Sequence, residues 1–327
     1  MAIIFNTFFF IDTFLFKTVQ IYKFCTKSCY VITFFDYFCI LMKDLSILIP
    51  TYNDECLELV SALQQQAVAL GINYEIIVAD DGSTLQNVLQ TNQQINALAD
   101  CRMIARNVNV GRAAIRNFLV QQAQYEWLLF IDGDMTMYRD DYLRSYLAAE
   151  GEVVCGGVVI KGGVKGNLRS MYEARHEQEH TAVRRQQHPY QDFHTANFLI
   201  YRETMTTHLF DERFRHYGYE DVLLGKRLEQ DGIPIQHIDN PLSFEVYETN
   251  EAFVSKTEEG LRTLHQFREE LRGYSRLLDF VERHRVLTIL VKCWHRIAGK
   301  WERHQLTGNA PNLRIFSLYR LGYFLQL

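Results

Sequence analysis

The chain has 327 residues, 48% of them hydrophobic and 22% charged, proportions that support a sizeable core and exclude wholesale disorder. Its formal net charge of -5 provides no basic domain, which argues against nucleic acid as the main partner. The seven cysteines form no C-x-x-C pair, so no zinc ribbon or thioredoxin motif is present, and an odd, scattered set fits reduced thiols better than a disulfide framework.

Residues 1–41 stand apart. They lack Gly, Pro, Glu, Arg and His, yet hold ten of the 22 phenylalanines. Two readings compete. As a membrane anchor or signal, Ser28–Met42 is interrupted by Asp36, and Ile3–Phe16 carries Asn6 and Asp12, so neither reaches the roughly 20 clean apolar residues of a span. As upstream sequence read as protein, the stretch precedes a start at Met42. The second reading is preferred, and residues 1–41 are set aside as a non-domain extension.

From Leu45 the pattern becomes regular. Leu45–Pro50 is a short apolar run ended by proline, a buried strand. Asn53 and Asp54 are expected to cap a helix running to Leu70, with Gly71 ending it. Tyr74–Ala79 is a second buried strand, and Asp80-Asp81-Gly82-Ser83 is expected to turn the chain and cap the next helix. Cys101–Ala105 is a weaker third strand, Gly111–Ala123 a helix, and Trp127–Ile131 a fourth strand ending at Asp132-Gly133-Asp134. Continuous apolar strands alternating with helices predict an α/β fold, a mostly parallel sheet with helices on both faces. Such sheets bind ligands outside the carboxyl ends of their strands, where Thr51-Tyr52-Asn53, Asp80-Asp81 and Asp132-Gly133-Asp134 fall. Glycine-rich dinucleotide and P-loop motifs are absent.

Asp132 and Asp134 flank a glycine. Two hard oxygen ligands suit Mn²⁺ or Mg²⁺, which also takes oxygens from substrate phosphates and offsets the charge of a departing diphosphate; ordinary turn chemistry is the plainer alternative. Further on, Gly218 breaks the chain and Glu220-Asp221 open an apolar helix. Acids in a first turn commonly serve the helix dipole, and they also suit a general base, with Asp221 kept ionised to accept a proton from an attacking hydroxyl.

The segments LSILIPTYND (45–54), IIVADDGS (76–83), NVGRAAIRN (109–117), LLFIDGDM (128–135) and YGYEDVLLGKRL (217–228) together resemble glycosyltransferase family 2, enzymes of the GT-A fold. The resemblance covers roughly residues 43–245. It implies a GT-A domain over 42–250 and a C-terminal helical region over 251–327. It implies an inverting transferase moving a sugar from a nucleotide-diphosphate donor, UDP by default, to a hydroxyl of a glycan or lipid-linked acceptor, as in polysaccharide and cell-envelope synthesis. Carried over by residue, Pro50, Thr51 and Tyr52 line the nucleotide pocket and Asp81 accepts the uracil N–H. Asp132 sits near ribose and metal, Asp134 binds the metal, Arg112 or Arg106 meets the diphosphate, and Asp221, beside Glu220, is the base. Many relatives carry a metal-binding histidine where this chain has Pro241-Leu242-Ser243-Phe244, so a third protein ligand is missing or comes from elsewhere; His237 lies too early and reads as a strand-end histidine.

Three other readings fit the residues less well. A sugar-phosphate nucleotidyltransferase needs a glycine-rich phosphate loop that PTYND lacks. A non-catalytic sugar-nucleotide binder has no use for Glu220-Asp221. His176-Glu177-Gln178-Glu179-His180 satisfies H-E-x-x-H, the zinc-protease arrangement, but Glu173, Arg175, Arg184 and Arg185 around it suggest a solvated helix. The loop His194–Asn197 is either plain connection or part of the donor-sugar site. In the C-terminal region, Thr257–Phe267, Leu271–Arg283 and Val286–Trp301 are expected as helices. The last is basic and amphipathic, suiting either packing on the catalytic domain or on a second subunit, or peripheral contact with a membrane, and the tail 311–327 is expected to dock. The expected location is cytoplasmic, with peripheral contact at the inner face of the membrane as an addition.

Overall fold

The computed structural model describes residues 44–160, 163–176 and 181–327. Residues 1–41, and the H-E-x-x-H stretch from the side chain of His176 to residue 180, lie outside them.

Strands are β1 (Leu45–Thr51), β2 (Tyr74–Asp80), β3 (Cys101–Ala105), β4 (Trp127–Ile131), β5 (Met135–Thr136), β6 (Val153–Cys155), β7 (Val158–Ile160), β8 (Asn197–Tyr201), β9 (Ile235–His237) and β10 (Leu242–Phe244). Helices through the first half are α1 (Leu57–Leu70), α2 (Gln86–Gln93), α3 (Arg112–Gln122) and α4 (Tyr142–Ala148). They are followed by α5 (Leu168–His176), α6 (Ala182–Arg185), α7 (Arg202–Thr207) and α8 (Glu220–Gln230). The C-terminal helices are α9 (Asn250–Gln266), α10 (Arg276–Arg283), α11 (Arg285–Thr307) and α12 (Leu313–Phe324).

The main sheet has the order β3-β2-β1-β4-β8-β6-β9. All its neighbours are parallel except the two pairs made by β8. β1 and β2 are buried along their whole length, as a strand covered on both faces must be. Their side chains alternate between two cores. Leu45, Ile47 and Ile49 pack with α1 and α4 on one side, while Leu48, Ile77 and Phe130 pack with α3 on the other. The expected mostly parallel sheet, flanked by helices and followed by C-terminal helices, is therefore the architecture observed. A second small sheet, β5-β10-β7, stands directly after the Asp132–Asp134 turn.

Two expected helix caps are not caps. Asn53 sits at φ 62 and its Oδ1 accepts from the amides of Thr84 and Leu85, tying the β1 end to the β2 end. Asp80 Oδ1 accepts from Gly82 and Ser83 within its own turn. Both carboxamide and carboxylate close the rim loops, and the helices begin later, at Leu57 and Gln86. Helical structure also does not start at Leu271 but at Arg276, and the last basic helix runs past Trp301 to Thr307. The 311–327 tail docks, with Phe316, Tyr319 and Phe324 of α12 buried. Asp44–Leu327 forms one compact unit, so the C-terminal helices are not a separate body.

Candidate active site

A continuous cleft lies at the carboxyl ends of β1, β2 and β4. It has a half of about 610 Å³ beside β1 and β2 and a half of about 460 Å³ beside α8, α9 and α12. Arg112, Asp132, Asp134, Arg169, Tyr217 and Lys256 border both.

In the first half, Pro50, Thr51 and Tyr52 line the wall together with Asp81. Asp81 continues β2, and its two carboxylate oxygens accept from the amides of Val110 (2.9 Å) and Gly111 (3.0 Å). That grip fixes the start of α3. Gly111, at φ 92, passes so close to the Arg215 carbonyl that a Cβ would stand 2.8 Å from its oxygen. Burial pushes the Asp81 carboxyl up, and the two amides work against that rise. Each oxygen keeps a second lone pair for a ligand donor.

The Asp132-Gly133-Asp134 turn is held from below. Asp132 N–H donates to Ala196, Gly133 N–H to Pro50, and Met135 N–H closes the turn on Asp132. Gly133 is required by packing rather than by its own dihedral, since a Cβ there would lie 2.9 Å from Cys56 Sγ and 3.0 Å from Thr51. Cys56 is a buried free thiol, pushed up to about 12 chiefly by burial, and is inert as a nucleophile. Among the described residues, Cys56, Cys101, Cys155 and Cys293 are free, in line with the reduced thiols expected.

The two aspartates differ. Asp132 is 9% exposed, and both its oxygens are taken by guanidinium groups, Oδ1 by Arg116 (2.5 Å) and Oδ2 by Arg112 (2.8 Å). Burial works against its charge, and the two arginines outweigh it and hold the carboxyl below its ordinary value. Asp134 makes no hydrogen bond or ion pair among the described residues; burial and then the Asp132 charge push its carboxyl up. Asp54 faces the same first half and is pushed up to about 6, by burial first and then by Asp134. A partly desolvated carboxylate set crowded by its own charge is what a divalent cation relieves. Among the described residues no three His, Cys, Asp or Glu side chains gather as a metal centre. A cation here would be held by Asp134 as one protein ligand, with the remaining oxygens supplied by substrate phosphate and water. The Pro241-Leu242-Ser243-Phe244 segment, where relatives carry the histidine, has none; its Phe244 pairs with Met135 and carries Arg169 stacked 3.9 Å over its ring. His237 is buried away from the cleft between Arg185 and the Pro189 carbonyl, and burial brings it down to about 4.

The crowding has a measurable consequence. Asp54 titrates higher in the folded chain than its ordinary 3.8, so the folded state takes up the proton first and stability falls as pH rises from about 4 to about 6. Asp54→Asn is therefore expected to melt about 2 °C or more above wild type at pH 8, with the gain fading by pH 4. An equal gain at both pH values would show that the carboxylate charge is not its source.

In the second half, Tyr219 adopts φ 71 directly after Gly218 at φ 94, and this tight turn delivers Glu220 and Asp221 to the start of α8. Glu220 is 4% exposed and accepts from Arg112 Nε at 2.9 Å, with Arg116 at 3.6 Å. Glu220 and Asp132 thus share two arginines that sit four apart on α3. Asp221 faces His194 Nδ1 at 3.5 Å and accepts from the Val222 amide at 2.8 Å. Burial opposes its charge, but His194, the amide and Arg112 prevail and hold it below the ordinary carboxylate range. His194 in turn is raised by Asp221 against the effect of burial. A carboxylate ionised at neutral pH beside an open cavity can accept a proton from a hydroxyl.

Several contributors were not read from the sequence. Arg169 on α5 and Lys256 on α9 bring positive charge across from Asp134; Arg169 is paired with Glu248 at 2.6 Å, and Lys256 sits 4.6 Å over the Tyr217 ring. Lys256 lies beyond residue 250, outside the expected catalytic segment. Phe253, Phe316 and Arg320 of α9 and α12 also close the second half. Arg106 does not border the cleft and stacks over Phe118 at 4.8 Å. Arg185, read as part of a solvated helix, is 4% exposed and donates to His237, Gly156 and Ile238; it lies where glycine at 157 leaves room for its guanidinium.

Residues 46–208, about half of the chain, match the family described as glycosyl transferase family 2. Chondroitin synthase from Escherichia coli is 22% identical over 243 residues, which is 63% of this chain and 35% of that protein. Poly(ribitol-phosphate) beta-glucosyltransferase from Bacillus spizizenii is 36% identical over 105 residues, 31% of this chain and 16% of that protein. The chain thus spans about a third or less of the length of these curated relatives. Among solved structures, S. aureus TarS in complex with UDP overlaps with a TM-score of 0.47 at 17% identity, covering 86% of this chain and 88% of that one.

Proposed function

The chain belongs to glycosyl transferase family 2, and from that premise we propose that it moves a sugar from a nucleotide-diphosphate donor, UDP as the first choice, to a hydroxyl of a glycan or lipid-linked acceptor. The observation that carries the reading is the division of one cleft between an uncommitted, crowded Asp134 and an ionised Asp221. The nucleotide lies in the half walled by Pro50, Thr51, Tyr52 and Asp81, and Asp81 reads the base through its remaining lone pairs. A divalent cation bound at Asp134, Mn²⁺ or Mg²⁺, supplies Lewis-acid stabilisation to the departing diphosphate. Arg112, 40% exposed at its side chain, lies beside it, and Lys256 and Arg169 add positive charge from the opposite wall. The acceptor enters the half beside α8, where Asp221 takes the proton of its hydroxyl as the oxygen attacks the anomeric carbon. A single displacement of this kind inverts that carbon. Among the described residues no helix is long and apolar enough to cross a membrane.

The test is the thermal stability of the chain against a panel of nucleoside diphosphates and their sugars, with and without Mn²⁺. Ligands that bind only the folded state stabilise it by about 2.7 kcal/mol at a hundredfold excess over Kd and so raise the melting temperature. A Mn²⁺-dependent shift with one nucleotide, lost in Asp134→Ala, is the expected result. No shift with any nucleotide in the presence of Mn²⁺, or a shift that Asp134→Ala leaves intact, would remove the donor-and-metal reading.

A further inference from the structure

Helix α11 is amphipathic in the wrong sense for a helix that only packs on its own domain. The stripe it buries is Thr288, Val291, His295, Ala298, Glu302 and Leu306, half of it polar. His295 and Glu302 pair on that inner side at 2.6 Å, and Trp294 Nε1 also donates to Glu302. The opposite side is apolar and open. Val286 is 76% exposed, Leu290 62%, Ile297 85% and Trp301 56%, with Trp294 at 48%. These positions follow one another at intervals of three and four residues, so they form one continuous face. Arg285, Lys292, Arg296 and Lys300 are exposed and flank it on one edge, and none makes an ion pair among the described residues. The one carboxylate on the helix, Glu302, is fully buried.

We propose that this outer face of α11 binds an anionic lipid surface, lying in the headgroup layer with the apolar stripe inserted and the four cations on lipid phosphates. The chemistry is that of an interfacial helix: an apolar face with tryptophans, a cationic flank, and no exposed acid to repel anionic headgroups. Charge also selects against other occupants. A second copy docked through the same face would gather the cations of both helices at one interface, with no exposed acid on either helix to compensate them. α11 packs on α12, where Gly322 leaves room for His295, and α12 supplies Phe316 and Arg320 to the cleft. A surface bound by α11 would therefore hold the acceptor half close to lipid. This inference does not depend on the transfer reading.

The experiment is co-sedimentation of the full chain with vesicles of phosphatidylcholine alone or mixed with phosphatidylglycerol, at low and high NaCl. Binding is expected only with phosphatidylglycerol and to weaken as salt rises. Ile297→Glu and the pair Arg296→Glu and Lys300→Glu are each expected to weaken it on the order of tenfold or more. Because these positions are exposed, both variants should keep the wild-type melting temperature and nucleotide response. The proposal is overturned by equal binding to phosphatidylcholine, by no binding to either vesicle, or by variants that bind as wild type. It is also overturned if the chain is a dimer that Ile297→Glu converts to monomer without changing sedimentation with lipid.

Discussion

Asp221→Asn is expected to lower the rate of sugar transfer about 10²–10⁴-fold, the usual contribution of a positioned general base, while donor binding stays within about twofold of wild type. Asparagine keeps the shape of the side chain and the bond from the Val222 amide at 2.8 Å. What it loses is the ability to take a proton. The pH dependence follows from the same contacts. Burial would push Asp221 up, but His194 holds it down, so the base stays ionised and the acidic limb of the rate profile lies below the ordinary carboxylate range. His194 is raised by the same pairing and keeps its charge above its ordinary value. His194→Gln removes that partner, so the acidic limb should move to higher pH. Single-turnover transfer with preloaded donor separates chemistry from binding. A rate in Asp221→Asn within a few fold of wild type, or an acidic limb indifferent to His194→Gln, would place the base elsewhere.

The sequence made some of this site plain and hid the rest for physical reasons. Leu45–Pro50, Tyr74–Ala79 and Trp127–Ile131 are apolar except for Ser46 and Glu75, which hydrogen-bond to each other, because both faces of their sheet are covered, and their polar ends had to meet at one rim. Asp132, Asp134, Asp81 and Glu220-Asp221 were legible because they follow such runs or open an apolar helix. β5, β7 and β10 were not legible, since strands of two or three residues are too short to show alternation. Asn53 and Asp80 look like helix caps in sequence because an Asx side chain serves turn amides and helix amides by the same bond; only the fold decides which are in reach. Lys256 and Arg169 carry no local signal at all, because their meaning lies in standing across a cleft from Asp134. In α11 the polar pair Glu302 and His295 is buried while an apolar stripe is exposed, so hydropathy alone does not tell which face packs. Arg112 and Arg116 do carry a local signal. Residues four apart on a helix share a face, so two arginines there imply a common acidic partner.

That partner set makes Arg116→Leu the most damaging single change to stability expected in the cleft. Arg116 is 1% exposed, reaches Asp132 at 2.5 Å and Glu220 at 3.6 Å, and lies 5.6 Å from the Phe210 ring centre. Leucine fills much of the space but leaves two nearly buried carboxylates sharing Arg112 alone. Breaking one side of a buried ion network costs about 3–5 kcal/mol, mainly because the remaining charge is left without compensation. On a chain of this size that corresponds to a fall in melting temperature on the order of 10 °C. If the cost is the orphaned charge rather than lost packing, adding Asp132→Asn to Arg116→Leu should recover part of it, although Asp132→Asn alone destabilises. The two single variants and the double form a cycle that isolates this coupling. A double variant as unstable as the sum of the two singles would mean that Arg116 acts only as filler between α3 and Phe210. A recovered double variant would show that its guanidinium offsets the acidic charge gathered at the junction of the two halves.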